Sequence, residues 1–280
     1  MSDSRAVILG GGGVTGIAWE TGILRGLSEE GVDLGTADAI IGTSAGSFAG
    51  ACLAAGEVAQ YFERQLSDDV PEIPAAMSPA TIDGWQRAIA EGNGDPEAVG
   101  RALGRLALAT PTVSREAREE VVASRLLSPE WPAGPLKMTA IDIETGALHL
   151  FDKESGVPLT AAAAASGALP GLWPVVEAQG RSWIDGGSCS AVNVQLGASY
   201  DKVVVIAPVA DGWQGRPGPR DEFANLVGAG VQGILIVPDD RSREAMGANH
   251  FDPSRRGPAA EAGRQQGRQI AAEVTGLWER

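Results

Sequence analysis

The sequence predicts an α/β protein: three α/β/α layers around a mostly parallel central sheet, with a helical insertion at about residues 57–132. Three observations carry this. Residues 1–56 alternate short β-rich apolar runs with stretches of helical spacing. Residues 57–132 hold helical patterns that no strand pattern interrupts. Beyond residue 136 the β-rich runs return. The 280 residues, 44% of them apolar, suffice for one large domain. The expected organisation is a main unit over 5–210 that includes the helical stretch, with 211–280 completing the same domain.

"AVILG" (6–10) is a short apolar run ending in glycines and reads as a buried strand. "VTGIAWETGILRGLSEEG" (14–31) has helical spacing and a glycine stop at Gly31. "DAIIG" (38–42) is the next strand, and "SAGSFAGACLAAG" (44–56) a helix of small residues suited to close packing on a sheet. Helices are expected near 81–92, 95–109 and 114–127, as a cap on the sheet or as ordinary scaffold, with Pro-rich hinges at 71–79 and 129–135. "LKMTAIDIETGALHLFD" (136–152) reads as a hairpin around "ETG". "LTAAAAASGALPGLWPVV" (159–176) reads as an Ala-rich helix broken at Pro170. Strands follow at 181–188, 201–209 and 233–240, and a surface helix at 258–278. No fixed-period repeat is present.

A net charge of −14 argues against nucleic acid, whose binding rests on Lys and Arg at phosphates. It equally disfavours electrostatic docking on anionic lipid, but not transient membrane contact or hydrophobic contact with a lipid or ester. No apolar run is long enough to span a bilayer. "MSDSRAVILGGGG" lacks the features of a secretion signal, so a cytoplasmic location is expected. Cys52 and Cys189, without C-x-x-C spacing, read as buried free thiols. Two histidines and two isolated cysteines offer no metal cluster, and no cofactor is expected. Oligomeric state leaves no trace in the sequence.

Three motifs carry chemistry. Gly42-Thr43-Ser44-Ala45-Gly46 fits G-x-S-x-G between a strand and a helix, the pattern that presents a nucleophilic serine on a sharp turn. Its structural alternative is a serine that caps the following helix. "GGGVTG" (11–16) has glycines at 11, 13 and 16 after a strand and before a helix. It reads either as a dinucleotide site or as an oxyanion hole of unhindered N–H groups. The second strand ends in Gly42 without the acidic residue that a dinucleotide site needs, and the serine turn nearby favours the oxyanion hole. "WIDGG" places Asp185 before Gly186 and Gly187; alone it reads as a turn initiator.

The three motifs together resemble the patatin-like phospholipases of bacterial type, a family of acyl hydrolases. That family's pattern is G-G-G-x-R/K-G, then G-x-S-x-G, then D-G-G or D-G-A far downstream. The likeness extends through "TAIDIETGALHLF", "AASGALPGLWPVV" and "SAVNVQLGASYDKVVVIAP" and covers roughly residues 5–210. It implies a Ser–Asp dyad: Ser44 as nucleophile and Asp185 as its base. It assigns Gly11, Gly12 and Gly13, with Ala45 as a further donor, to the oxyanion hole, and Gly16, Gly42, Gly46, Gly186 and Gly187 to the motifs. The implied substrate is a lipid or acyl ester. A carboxylate able to take a hydroxyl proton needs raised basicity, so Asp185 is expected to be shielded from water. One departure stands out: the family's Arg or Lys in the glycine loop is Thr15 here, which calls the loop's bracing into question.

Ser44, Asp185 and His250 also occur in the chain order of an α/β-hydrolase triad. Against that, His250 sits in the polar stretch "GANHFDPSRR", and Ser44 follows only the second strand. His149 lies on the alternating, exposed face of a hairpin strand. Trp85, Trp131, Trp173 and Trp183 are candidates to line an acyl pocket, though each reads first as core. The leading function is a serine acyl hydrolase. The alternatives are a lipid- or acyl-binding pseudoenzyme and a nucleotide-binding module.

Overall fold

The computed structural model describes residues 3–67, 70–212 and 217–279. The first two residues of the N-terminal stretch, residues 68–69 of the helical insertion, and 213–216 and 280 of the C-terminal segment lie outside the described residues. The chain opens β1 (Arg5–Leu9), α1 (Gly13–Glu29), β2 (Ala39–Gly42), α2 (Ala45–Ala55). Four further helices follow: α3 (Val58–Leu66), α4 (Pro79–Gly92), α5 (Pro96–Ala109) and α6 (Arg115–Arg125). Then come β3 (Leu136–Asp142), β4 (Leu148–Phe151), α7 (Leu159–Ser166), β5 (Val176–Ala178), β6 (Arg181–Asp185) and β7 (Lys202–Ile206). The chain ends with α8 (Pro219–Gly228), β8 (Gln232–Ile236), α9 (Asp240–Met246) and α10 (Arg256–Trp278).

Local chemistry explains the helix starts. The side chains of Ser78, Asp95 and Ser114 accept N–H bonds from Thr81, Glu97 and Ala117, and Pro79 and Pro96 begin their helices where no N–H is needed. The strands of the parallel core, "AVIL" in β1 and "KVVVI" in β7, are buried on both faces, as continuous apolar runs between helical layers should be.

The eight strands form one sheet. β3, β2, β1, β7 and β8 are successively parallel, while β4 and β6 pair with β3 and β5 with β6 in antiparallel fashion. The registers on β3 are decisive. β2 pairs with Leu136–Met138, and β6 with Ala140–Asp142. β4 overlaps both, pairing with Met138–Ile141, so it takes the opposite edge. β2 and β6 therefore share one edge of β3, running toward each other, and their C-terminal ends meet beside Thr139.

One face of the sheet, with Val7, Leu9, Ile40, Met138 and Val204, is covered by α1, α2, α3, α7 and α10. On the other face Ile8, Ile41 and Val205 pack under Val192, Val194 and Leu226. Ile141 and Ile184 pack under α4 and α5. The helical stretch 57–132 is thus divided between both layers: α4 and α5 cover one face, while α3 and α6 join the other.

Several sequence expectations change. An additional helix, α3, occupies residues expected only as part of the insertion. The Ala-rich helix ends at Ser166, four residues before Pro170, because the chain turns so that the Ala168 carbonyl accepts the Asp185 N–H at 3.0 Å. β5 begins at Val176, the last residue of the stretch expected as that helix, and continues to Ala178. α10 is a surface helix on one face only: Glu261, Gln265, Arg268 and Ala272 are exposed, and the opposite face is buried. It packs backbone to backbone on α1: a Cβ on Gly22 or Gly26 would come 2.1 Å from the carbonyl oxygens of Ala260 and Arg264. Cys52 is buried, but Cys189 is only half-buried; neither is in a disulfide.

Candidate active site

Ser44 stands between β2 and α2 with φ 53° and ψ −112°, a backbone region that L-residues avoid. The turn is tight because a Cβ on Gly42 would come 2.5 Å from the Gly46 carbonyl oxygen, and one on Gly46 would come 2.2 Å from the Leu9 carbonyl oxygen. The Ser44 hydroxyl does not cap α2. It hydrogen-bonds the carboxylate of Asp185 instead. The Ser44 N–H donates to Ser166 Oγ at 3.0 Å, and Ser166 Oγ also bonds Ser47 Oγ at 2.7 Å, which fixes the entry to the helix.

Asp185 is the last residue of β6 and is 2% exposed. Its Oδ1 accepts the Gly187 N–H at 2.6 Å, so the turn-initiating role and the contact with Ser44 coexist and the first orients the second. Burial pushes its pKa up from an ordinary 3.8 to about 7, against the opposing pull of the Ser44 hydroxyl, the Gly187 N–H and the Arg118 charge. A Cβ on Gly186 would lie 2.1 Å from Thr139 Oγ1, so only glycine lets β6 end this close to β3.

The glycine loop lies directly against the serine turn; a Cβ on Gly11 would approach Ser44 Cβ to 3.5 Å. Here one expected donor is corrected. The Gly11 N–H is already engaged, donating to the Ala191 carbonyl at 2.7 Å, and cannot serve an oxyanion without breaking that bond. The N–H groups of Gly12, Gly13 and Ala45 meet no acceptor among the described residues. Gly13 and Ala45 begin α1 and α2, so two helix N-termini converge beside Ser44 and favour negative charge there. Gly16 sits against Ala45 Cβ and Pro208, keeping α1 close to the turn.

The loop is braced without a basic residue at position 15. Thr15 is fully buried and its N–H donates to the His250 carbonyl at 3.1 Å, while its Oγ1 has no partner. Gly10 donates to the Ile206 carbonyl and to Glu20 Oε1, both at 2.9 Å. Glu20 is fully buried, and burial raises its pKa well above the ordinary range, against the pull of the Gly10 N–H.

Residues that carry no motif complete the site. Asn193, buried with φ 59°, donates from Nδ2 to Thr43 Oγ1 and to the Gly186 carbonyl, both at 3.1 Å, tying the serine turn to the Asp185 turn. Thr139 Oγ1 donates to Thr43 Oγ1 at 2.9 Å. Arg118 and Ser166 also escaped the sequence reading. Asn193 and Ser166 lie within the family-like stretches, but nothing in their local pattern marks a role.

A cavity of about 470 Å³ opens over Ser44 and Asp185, walled by Phe48, Met77, Leu169, Trp173, Val209 and Phe251. Of the four tryptophans, only Trp173 lines it. Trp85 points from α4 into the core, Trp131 lines a separate hollow beside Cys52, and Trp183 packs on His149 and Phe151. His250 also lines the cavity, but its Nδ1 stands 3.3 Å from the Gly12 carbonyl and bonds neither Ser44 nor Asp185. His149 is exposed on β4, as expected. No group of residues able to hold a metal exists among the described residues. No helix among them is long and apolar enough to cross a membrane.

The family model for patatin-like phospholipase matches residues 7–197, the span that contains all three motifs. The chain belongs to the patatin-like phospholipase family. No curated protein matches the chain. Among solved structures it is similar to VipD from Legionella pneumophila, with 13% identity and a TM-score of 0.48, covering 98% of this chain and 67% of that one. It is similar to the type III effector protein ExoU, with 17% identity and a TM-score of 0.45, covering 97% and 53%. A third likeness is to the heterodimeric ExoU–SpcU complex from the type III secretion system of Pseudomonas aeruginosa, with 16% identity and a TM-score of 0.41, covering 96% and 51%. The chain spans half to two thirds of the length of these structures. As a patatin-like protein it falls among lipid acyl hydrolases, and its mixed sheet between helical layers is of the patatin-like α/β/α type.

Proposed function

We propose that this patatin-like protein is a serine hydrolase of carboxylic esters, acting on lipid or simple acyl esters through a Ser44–Asp185 dyad. The observation that carries the reading is the hydrogen bond from the Ser44 hydroxyl to the buried Asp185 carboxylate at the floor of an apolar cavity. As Ser44 Oγ attacks the ester carbonyl carbon, Asp185 takes its proton. The carbonyl oxygen becomes an oxyanion, which the free N–H groups of Gly12, Gly13 and Ala45 stabilise. The C–O bond to the alcohol breaks, and Asp185 returns the proton to the leaving oxygen. Water then attacks the acyl-enzyme and gives its proton to Asp185. Release of the carboxylic acid restores the proton to Ser44.

Ionised Asp185, poised near neutral pH, is a far stronger base than an exposed carboxylate. Cys52 and Cys189, neither of them in a disulfide, support a reducing, cytoplasmic setting. The test is labelling by a fluorophosphonate probe together with turnover of 4-nitrophenyl butyrate. The expected result is a covalent adduct at Ser44, with turnover abolished in Ser44→Ala and Asp185→Asn proteins that still fold. An unlabelled Ser44 in folded wild type would speak for an acyl-binding pseudoenzyme instead.

A further inference from the structure

We propose that Arg118 is an anion-recognition residue of the cavity over Ser44, selecting acyl esters that carry a phosphate or carboxylate group beside the scissile bond. This rests on the acyl-hydrolase reading for the chemistry of the cavity, but the residue belongs to none of the three motifs.

Arg118 projects from α6, in the helical insertion, and is 5% exposed. Its Nε and Nη1 are buried without a hydrogen-bond partner, and it forms no ion pair among the described residues. Other buried arginines here are satisfied. Arg125 grips Glu72 through Nε at 3.0 Å and Nη2 at 2.6 Å, and Arg256 donates to the Arg64 carbonyl at 2.8 Å. The Arg118 guanidinium instead lies over the face of Trp173, 4.0 Å from the ring centroid. That contact fixes the plane of the guanidinium without giving Nε or Nη1 an acceptor. The nearby Asp185 carboxylate attracts the Arg118 charge, but the hydrogen bonds it accepts come from Ser44 and Gly187.

A guanidinium keeps its charge even when buried, and a buried charge with no acceptor is costly to maintain. Arg118, Trp173, Ser44 and Asp185 line one cavity. Because Arg118 lines this cavity, an acceptor for its guanidinium can come from a group on the same molecule that presents its ester to Ser44. A carboxylate or a phosphate diester supplies such an acceptor to a guanidinium.

Two matched substrate pairs distinguish the two sources. One is 4-nitrophenyl butyrate against mono-4-nitrophenyl succinate. The other is diacylglycerol against diacylphosphatidylglycerol in the same detergent micelles. In Arg118→Gln, kcat/KM for the anionic member of at least one pair should fall roughly 10- to 100-fold more than for its neutral partner, and Arg118→Lys should recover part of the difference. Equal losses in both members, with the pH profile displaced alike for both, would mean that Arg118 only positions or tunes Asp185, and would overturn the proposal.

A second arm is independent of turnover. Ser44→Ala protein is titrated with dodecyl phosphate, dodecanoate and dodecanol. At least one anion should bind more tightly than the alcohol, and adding Arg118→Gln should reduce that preference by about tenfold. No preference in the Arg118 protein overturns the proposal, even if the double variant fails to fold. A preserved preference without ester turnover in wild type would overturn the acyl-hydrolase reading alone.

Discussion

The Ser44 hydroxyl meets the Asp185 carboxylate because β2 and β6 run toward each other along one edge of β3, ending on either side of Thr139. Neither strand end is free to drift. Asn193 clamps the two turns together, and Gly186 permits an approach that a Cβ would block. The contact is a product of sheet register.

The pH–rate profile should show one ionisation on its acidic side. Asp185 accepts a proton only when ionised, and burial places its pKa at about 7. kcat/KM for a neutral ester should rise about tenfold per pH unit below that value and level off above it. A limb near pH 4, measured with 4-nitrophenyl butyrate, would contradict the assigned environment of Asp185.

The same carboxyl should make stability depend on pH. Its folded-state pKa, about 7, lies above its ordinary 3.8, so the fold holds this proton more tightly than the unfolded chain does. That contribution is fully present below about pH 3.9 and is lost as pH rises through 7; its full size is about 4 kcal/mol. Asp185→Asn keeps an acceptor for Gly187 and does not ionise. Its stability relative to wild type, from urea titrations, should therefore increase between pH 5.5 and 8.5. A pH-independent difference would show that Asp185 does not titrate in this range.

Ser44→Gly should be inactive yet more stable than Ser44→Ala. Both lack the hydroxyl, but only glycine adopts φ 53°, ψ −112° without strain. Relief of strain should exceed the added freedom of the unfolded glycine by about 1 kcal/mol. Thermal melting of the two variants decides the point; a less stable Ser44→Gly would mean that the turn stores no strain.

His250→Ala should reduce turnover severalfold and leave the label at Ser44. The imidazole contacts the Gly12 carbonyl, and the loop keeps its ties to Glu20, Ile206 and Ala191. A loss equal to that of Ser44→Ala would restore the triad reading that the geometry disfavours.

The sequence by itself determined the α/β class, the order of the major elements and the three glycine-bounded motifs, because each is local. Apolar runs of strand length, helical spacing and glycines at turns act within a few residues of chain. It also located Ser44 at a strand-to-helix turn, since "GTSAG" demands close backbone approach on both sides of the serine. The tertiary structure decided what depends on partners far along the chain. It engaged the Gly11 N–H with Ala191, braced the loop through Glu20 in place of a basic residue 15, and packed α10 on α1 through facing glycines. It brought Asn193 between the two turns and left Arg118 Nε and Nη1 without a partner in the wall of the cavity that holds Ser44. A hydrogen bond, or the lack of one, depends on which acceptors the fold carries to within about 3 Å. For these residues no neighbour in sequence supplies that information.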